Sequence, residues 1–245
     1  THNIGIGRRP LLSNTSGNYN VAMGTDALRS NTTASNNTAV GYQAAYSNTT
    51  GQLNVAVGSN ALDANVTGTA NTAVGYNALS ANTGDGSTAI GKDALELNTS
   101  GINTAVGSNA LATVTSGTGN VGIGNDVLTV NTASNNTAVG YQSLLNNTTG
   151  TANVAVGKNA LDLNTTGSTN TATGADSLGA NTTGGGNTAL GQAALENNTT
   201  ASFNTGVGRN ALILNTTGGN NTAVGYQAGF SNTTGAINIA IGYNA

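Results

Sequence analysis

A glycine recurs along the chain at a nearly fixed spacing, and this repeat restricts the fold more than any other feature of the sequence. It closes a five-residue stretch such as Asn-Thr-Ala-Val-Gly, and its spacing is 17 residues in eleven intervals and 16 in three. A repeat of this length is too short for two helices, and each glycine inside a helix would cost about 1 kcal/mol. The marker glycines are Gly7, Gly24, Gly41, Gly58, Gly75, Gly91, Gly107, Gly124, Gly140, Gly157, Gly174, Gly191, Gly208, Gly225 and Gly242.

Positions in each repeat are numbered from the marker glycine, which is position 0. Position −3 is always Thr, Val or Ile, and position −1 is Val, Ile, Leu or Met in fourteen of fifteen units. Because β-branched residues favour strands, the five residues from −4 to 0 predict a strand. Position +4 is Leu in twelve of fourteen units, which predicts one core leucine per coil. We therefore expect an all-β fold, a parallel β-solenoid (β-roll) of about 15 coils that forms one continuous array over residues 1–245.

The residue at −2 points to the opposite side of the strand from those at −3 and −1. Position −2 is Ala in twelve units and Gly in three, and no unit has a charge on either side of the strand. Since a face in water would vary freely, we expect both faces to be covered, the −2 face by other copies of the chain. This predicts a homotrimer, although a side-by-side dimer or a bundle of many chains would cover the same face.

Two repeats lack the +4 leucine and have Ala45 or Gly229 instead. Each is followed by an aromatic residue at +5, Tyr46 or Phe230. A missing core leucine would otherwise cost about 2–5 kcal/mol. We expect the aromatic ring to fill the volume that the leucine leaves.

Asparagine recurs at two further positions, −4 in fourteen of fifteen units and +7 in thirteen of fourteen. Eleven of the +7 residues head an Asn-x-Thr or Asn-x-Ser glycosylation pattern. Glycans on coils about 4.8 Å apart would collide, so we interpret these residues as stacked side chains that satisfy turn groups and one another. The structural ladder at −4 includes Asn37, Asn54, Asn71, Asn103, Asn136, Asn153, Asn187 and Asn221. The turn ladder at +7 includes Asn48, Asn65, Asn98, Asn147, Asn164, Asn181, Asn215 and Asn232.

Charged residues follow the same register and predict the face in contact with water. All six basic residues fall at +1, +2 or +5, and eight of nine acidic residues fall at +2 or +5. Five tyrosines share +1 with them, which suggests surface contacts to a partner; shielding of the coil edge would explain them equally well. These tyrosines are Tyr42, Tyr76, Tyr141, Tyr226 and Tyr243.

Composition excludes several classes of function. The net charge is only −3 without clustered Lys or Arg, so we expect no nucleic-acid partner, and no 18-residue apolar run predicts membrane insertion. With no cysteine and one histidine, His2, we expect no metal and no cofactor. The scattered carboxylates do not form the paired acid and base that catalysis needs, so we expect no enzymatic activity.

Threonine forms a further ladder, at +8 in thirteen of fourteen units and at +9 in nine. Such arrays resemble the ice-binding surfaces of some antifreeze proteins, although those surfaces use threonines at i and i+2 rather than adjacent ones. A module that binds a regular surface, either ice or a glycan, through this ladder or the tyrosine and charged face is therefore the alternative function.

The units NVAVGSNAL at Asn54, NVAVGKNAL at Asn153 and NIAIGYNA at Asn238 resemble the head repeats of YadA-type trimeric autotransporter adhesins. The NTAVGYNAL and NTTG segments are also similar to repeats of bacteriophage tail fibres and bacterial surface fibres. The resemblance implies a left-handed coil, three laterally associated chains and a place on a cell or virion surface, with a cell-surface or matrix receptor as partner. The longer coil of this chain favours the fibre-type relatives. We expect a structural shaft or adhesive segment of a longer extracellular fibre.

Overall fold

The computed structural model describes residues 2–99 and 101–245, and it builds the chain from three-residue strands joined by tight turns. Its described part is an all-β, parallel β-solenoid of about fourteen turns with a repeat of about 17 residues, which confirms the predicted fold class and repeat. Each strand spans −3 to −1 rather than the expected five residues, because the marker glycine has a positive φ, 139° at Gly41, that ends the extended backbone. The strands of the described residues are β1 (Ile4–Ile6), β2 (Val21–Met23), β3 (Thr38–Val40), β4 (Val55–Val57), β5 (Thr72–Val74), β6 (Thr88–Ile90), β7 (Thr104–Val106), β8 (Val121–Ile123), β9 (Thr137–Val139), β10 (Val154–Val156), β11 (Thr171–Thr173), β12 (Thr188–Leu190), β13 (Thr205–Val207), β14 (Thr222–Val224) and β15 (Ile239–Ile241).

The chain divides into two compact units, Thr1–Asn120 with β1 to β7 and Val121–Ala245 with β8 to β15. Within each unit, neighbouring strands pair in parallel and without any shift of register. In the first unit, for example, Ala39 of β3 lies opposite Ala56 of β4. Equivalent positions of successive coils therefore stack directly on one another, and each position forms a row of like side chains.

The core of each unit consists of small residues at −2 and +3 and the leucine at +4. Ala39, Ala61 and Leu62 are all 0% exposed. The expectation that the −2 face is covered by other copies of the chain is thus wrong, since these residues are buried in their own coil. A coil of 17 residues has a narrow interior that one leucine nearly fills, so only alanine or glycine fits beside it. The larger residues at −3 and −1 consequently lie on the outside.

The coils turn through residues in the left-handed backbone region at +2 and +4, and most coils have a further one at −5. Asn60 and Leu62 have φ values of 56° and 55°. Asparagine tolerates this region well, whereas leucine rarely adopts it. The twelve +4 leucines all have φ between 47° and 55°. Burial of the leucine side chain, worth about 1.5–3 kcal/mol, offsets the strain of its backbone.

The aromatic residues next to Ala45 and Gly229 do not enter the core, so that expectation is wrong. Tyr46 lies outside the coil, where the Arg29 guanidinium sits 5.4 Å from its ring centroid, and Phe230 is exposed. The reason is geometric, because a +5 residue points outward when its +4 neighbour points inward. At Gly229, Leu212 of the preceding coil occupies the space instead, its Cδ2 lying 2.9 Å from where a β-carbon would stand.

Truncation of a core leucine tests this description of the interior. We expect Leu62→Ala to lower the free energy of unfolding by about 2–5 kcal/mol, because the rigid coils around it cannot collapse into the cavity. The matched control is Leu53→Ala, since Leu53 is 59% exposed and its truncation should change stability by about 0.5 kcal/mol or less. Chemical denaturation followed by circular dichroism measures both, and equal effects of the two changes would contradict the assigned core.

Candidate functional site

The −4 asparagines form a buried ladder that joins each coil to the next. The backbone N–H of Asn54 donates to Oδ1 of Asn37 in the preceding coil at 2.9 Å, and Asn54 Nδ2 donates to the Gly68 carbonyl at 2.8 Å. All eight asparagines expected in this ladder are buried. Each side chain thus spans the inside of its own coil and fixes the distance to its neighbour.

The +7 asparagines form a second ladder that meets the first at one carbonyl. Nδ2 of Asn48 donates to the Gly51 carbonyl at 2.9 Å and to Oδ1 of Asn31 at 3.1 Å, and Asn37 Nδ2 donates to the same carbonyl. Seven of the eight residues expected here are buried and Asn232 is half-buried. Glycosylation needs a free Nδ2, so the fold leaves Asn48 and its buried equivalents inaccessible to it.

The turn ladder is interrupted where the sequence departs from the repeat. Val114 occupies +7 and offers no amide, and Oδ1 of Asn98 in the preceding coil instead accepts a hydrogen bond from Asn103 Nδ2 at 3.1 Å. Another interruption lies where a 16-residue coil begins: Asn82 Nδ2 donates to the Gly84 carbonyl at 2.9 Å, and Oδ1 of Asn65 in the preceding coil is buried without a hydrogen-bond partner. The two asparagine ladders can therefore exchange partners when one rung is lost.

The threonines of the chain differ in whether their hydroxyl group is hydrogen-bonded within the protein. At +8 the hydroxyl is tied to the backbone, as Thr49 Oγ1 donates to the Val66 carbonyl of the next coil at 3.0 Å. At −3, in the described part of the chain, threonine hydroxyls such as that of Thr38 make no side-chain hydrogen bond. Within the described chain, the hydroxyls free to bind an external group are thus those at −3 and those of the +9 threonines such as Thr50, whereas the +8 hydroxyls are tied to the backbone.

The side chains at −3 and −1 form what we call the outer sheet face of each unit. They are half-buried to exposed in every described strand, and none of them is charged. The exposed members include Met23, Ile90, Ile123, Val156 and Leu190. A flat, uncharged face of this kind is typical of a surface that contacts another molecule.

The polar side of the coil is more ordered than the sequence indicates. The five +1 tyrosines are exposed, and Tyr226 and Tyr243 stack with ring centroids 5.2 Å apart. Asp26 at +2 is only 4% exposed and binds Arg9 Nη2 at 2.7 Å. The expectation that +2 simply faces water is therefore wrong.

A third ladder, which the sequence reasoning missed, runs through the +2 residues. Asn60 Nδ2 donates to Asn77 Oδ1 at 3.3 Å, and Asn77 Nδ2 donates to Asp93 Oδ1 at 3.2 Å. The residue types at +2 could have indicated this ladder, since thirteen of fifteen +2 residues are Asn, Asp or Gln. Such residues tolerate the left-handed backbone and stack by their amides.

In the second unit, an open notch of about 240 Å³ forms where Gly179 replaces the +5 side chain. Asp162 and Glu196 at +5 and Asp176 at +2 line it. Partial burial raises the pKa of Asp162 and of Glu196, and the nearby Asp176 carboxylate adds to both shifts. The notch is thus a locally acidic surface in which Asp162 and Glu196 are less readily ionised than usual.

The raised pKa of Asp162 predicts a pH dependence of stability. The folded chain binds the proton more tightly than the unfolded chain, whose pKa is near the ordinary 3.8, so stability falls as pH rises from that value through the raised one. Asp162→Asn should remove this decline and raise the unfolding temperature at pH 7. Thermal unfolding of both proteins between pH 3 and pH 7 measures the difference, and a lower unfolding temperature for the variant at pH 7 would contradict the assignment.

Two kinds of site are absent from the part of the chain that the structure describes. Among them no three His, Asp or Glu side chains lie close enough to hold a metal ion, and no helix is long and apolar enough to cross a bilayer. What recurs in every unit is the uncharged outer sheet face, and in five of the fifteen units the +1 position beside it is a tyrosine. Comparison with protein-family models, with curated proteins and with solved structures finds no match to this chain.

Proposed function

We propose that the chain is a non-catalytic structural segment of an extracellular fibre, a shaft or adhesive segment in which three copies associate laterally through their outer sheet faces. The observation that carries this proposal is the outer sheet face itself, which is half-buried to exposed in the single chain and uncharged in all of its fifteen units. In a solvated surface of this length, charged residues would be expected. A second and third copy would cover the face and remove its apolar side chains from water.

The resemblance to YadA-type head repeats and to fibre repeats supports the same proposal. It is also the basis on which we propose a left-handed coil and a location on a cell or virion surface.

The proposed mechanical role follows from the ladders. Each coil is joined to the next by backbone pairing, by Asn37-type and Asn48-type amides and by threonine hydroxyls. Length is then gained by adding coils, and stiffness arises because each coil is held along several parallel rows.

Charge placed on the outer sheet face tests the proposal. We expect the double variant Val57→Asp and Val74→Asp to sediment as a monomer, because burying unpaired carboxylates between copies is costly. The matched control is Thr50→Asp with Thr67→Asp, which places the same charges on the exposed +9 row and should leave the native mass unchanged. Circular dichroism checks that both variants fold. An unchanged native mass in the first variant would exclude this face as the contact.

The alternative is a module that binds a regular surface, and one observation favours it. The −3 threonine hydroxyls are unpaired within the described chain and recur in nine of the fifteen units beside the −1 side chains, an i and i+2 arrangement. If the chain remains monomeric, the outer sheet face stays open to solvent. Ordered water, as in ice, would then bind the regularly spaced hydroxyls and methyl groups. Thermal hysteresis of the purified protein would support the alternative. A glycan array tests the exposed tyrosines, since a passive shaft should bind no glycan reproducibly.

A further inference from the structure

Positive charge is concentrated at one place in the first unit. Among residues 1–62 there are three basic residues, Arg8, Arg9 and Arg29, and these are half of the basic residues of the chain. Asp26 is the only acidic residue in the same range, so this stretch has a net charge of +2 in a chain whose net charge is −3. A local positive surface on an otherwise acidic protein attracts anions. We call Arg8, Arg9 and Arg29 the arginine cluster.

Stacking of the first coils brings two of these arginines onto one carboxylate. Arg9 Nη2 donates to Asp26 Oδ2 at 2.7 Å, and Arg29 Nε lies 3.7 Å from Asp26 Oδ1. Arg29 is held from a second side by Tyr46, whose hydroxyl accepts a hydrogen bond from Arg29 Nη1. The side chain of Asp26 is only 6% exposed, because the two arginines cover it. Both guanidinium groups are therefore positioned by their own chain before any ligand binds.

Most N–H donors of the arginine cluster are left without an acceptor. Each guanidinium group has five such donors, and in the described residues Arg9 and Arg29 donate one side-chain hydrogen bond each while Arg8 donates none. The side chains of Arg9 and Arg29 are 37% and 32% exposed, and Arg8 is exposed beside them. Asp26 offsets only one of the three positive charges. Donors and charge thus remain for a group that comes from outside the chain.

We infer that the arginine cluster binds a tetrahedral oxyanion, a sulfate or phosphate group carried by a small ligand. Guanidinium groups bind such anions through paired N–H donors. A sulfate or phosphate group offers at least three acceptor oxygens, which suits two guanidinium groups from different coils better than the two oxygens of a carboxylate. A long polyanion would extend over the remaining coils, where acidic residues outnumber basic ones by eight to three. The ligand that fits is therefore small.

Selective ¹⁵N labelling of arginine tests this site, because the chain has only four arginines and each gives its own Nε–H signal in an NMR spectrum. The fourth, Arg209, is an exposed +1 residue of the second unit and serves as an internal reference. Sodium sulfate, sodium phosphate and sodium acetate are titrated separately at constant ionic strength, set with sodium chloride. We expect saturable shifts of the Arg9 and Arg29 signals with sulfate and phosphate, a several-fold lower affinity for acetate, and no saturable shift of Arg209. The anion with the higher affinity, sulfate or phosphate, identifies the group that the site prefers.

Two matched variants separate anion binding from folding. Arg8→Gln removes a charge without a partner in the chain, so it should leave stability unchanged and weaken sulfate binding about two- to fivefold, as loss of an exposed ion pair does. Arg209→Gln removes the same charge from the second unit and should leave sulfate binding unchanged. Equal losses in the two variants, or Arg9 and Arg29 signals that do not saturate in the unmodified protein, would overturn the site.

The site is independent of the proposed lateral association. Its residues lie at +1, +2 and +5, whereas the outer sheet face consists of the −3 and −1 side chains. Sulfate binding is measured at the arginines and lateral association by the native mass, so the failure of one leaves the other standing.

Discussion

Gly41→Ala is expected to destabilise the protein strongly, as is the same change at the equivalent marker glycines. A β-carbon at Gly41 would stand 2.3 Å from the Gly58 carbonyl oxygen and 2.7 Å from its carbon, and the φ of 139° is unfavourable for alanine. The obstacle is the backbone of the next coil, which its own ladders hold in place. We expect about 1–3 kcal/mol of backbone strain and a further 1–3 kcal/mol of overpacking.

The matched control for Gly41→Ala is Gly206→Ala at position −2, where twelve other units already have alanine. Its β-carbon would meet Leu195 Cγ at 3.2 Å, a side-chain contact that can adjust. Denaturant midpoints compare the two variants without assuming two-state unfolding, which repeat arrays do not always obey. Equal midpoints for the two variants would show that the close approach of successive marker glycines is not what fixes the coil spacing.

Asn48→Leu is expected to have the second largest effect, because it removes a rung of the buried turn ladder. Asn65 Nδ2 would lose its 2.9 Å acceptor and Asn31 Oδ1 its 3.1 Å donor, while the Gly51 carbonyl would keep Asn37. Each buried group left without a partner costs about 1–3 kcal/mol. Leucine has the same number and branching of side-chain heavy atoms as asparagine but is bulkier, so crowding adds to the loss.

The control for this change is Asn36→Leu at an exposed −5 position, where the next coil already has Leu53 with a φ of 59°. It should lower the free energy of unfolding by about 1–2 kcal/mol at most, because the φ of 62° at Asn36 suits asparagine better than leucine. Backbone amides in the coils next to residue 48 should exchange faster with solvent in Asn48→Leu than in the unmodified protein. The control should show no such increase in exchange rate. If Asn48→Leu proved as stable as the control, the amide ladder would contribute little and the leucine core alone would hold the coils together.

Much of the fold can be predicted from the sequence because its constraints are local and repeated. The register follows from the marker glycines, and the core position of Leu62 follows from the regular leucine at +4. The face that points inward could not be predicted in the same way. Alanine at −2 and valine at −1 are both uncharged, and only the narrow interior of the coil decides that Ala39 lies inside and Val40 outside.

Side-chain partners could be predicted where a position repeats and not where it varies. The −4 and +7 asparagines were identifiable as ladders from their recurrence, although their shared acceptor, the Gly51 carbonyl, needed the structure. The prediction for Tyr46 was wrong because it considered only the volume of the ring, and not that a +5 side chain points out of the coil. The left-handed backbone of Leu62 was also unforeseen, since leucine gives no sign of that conformation in a sequence.

The native mass of the unmodified chain in solution tests the central claim most directly, because the outer sheet face is either covered by other copies or open. Sedimentation equilibrium at micromolar concentration should give three times the chain mass of 23.9 kDa. A mass of one chain, unchanged as concentration rises, would contradict the account and leave the outer sheet face exposed to solvent.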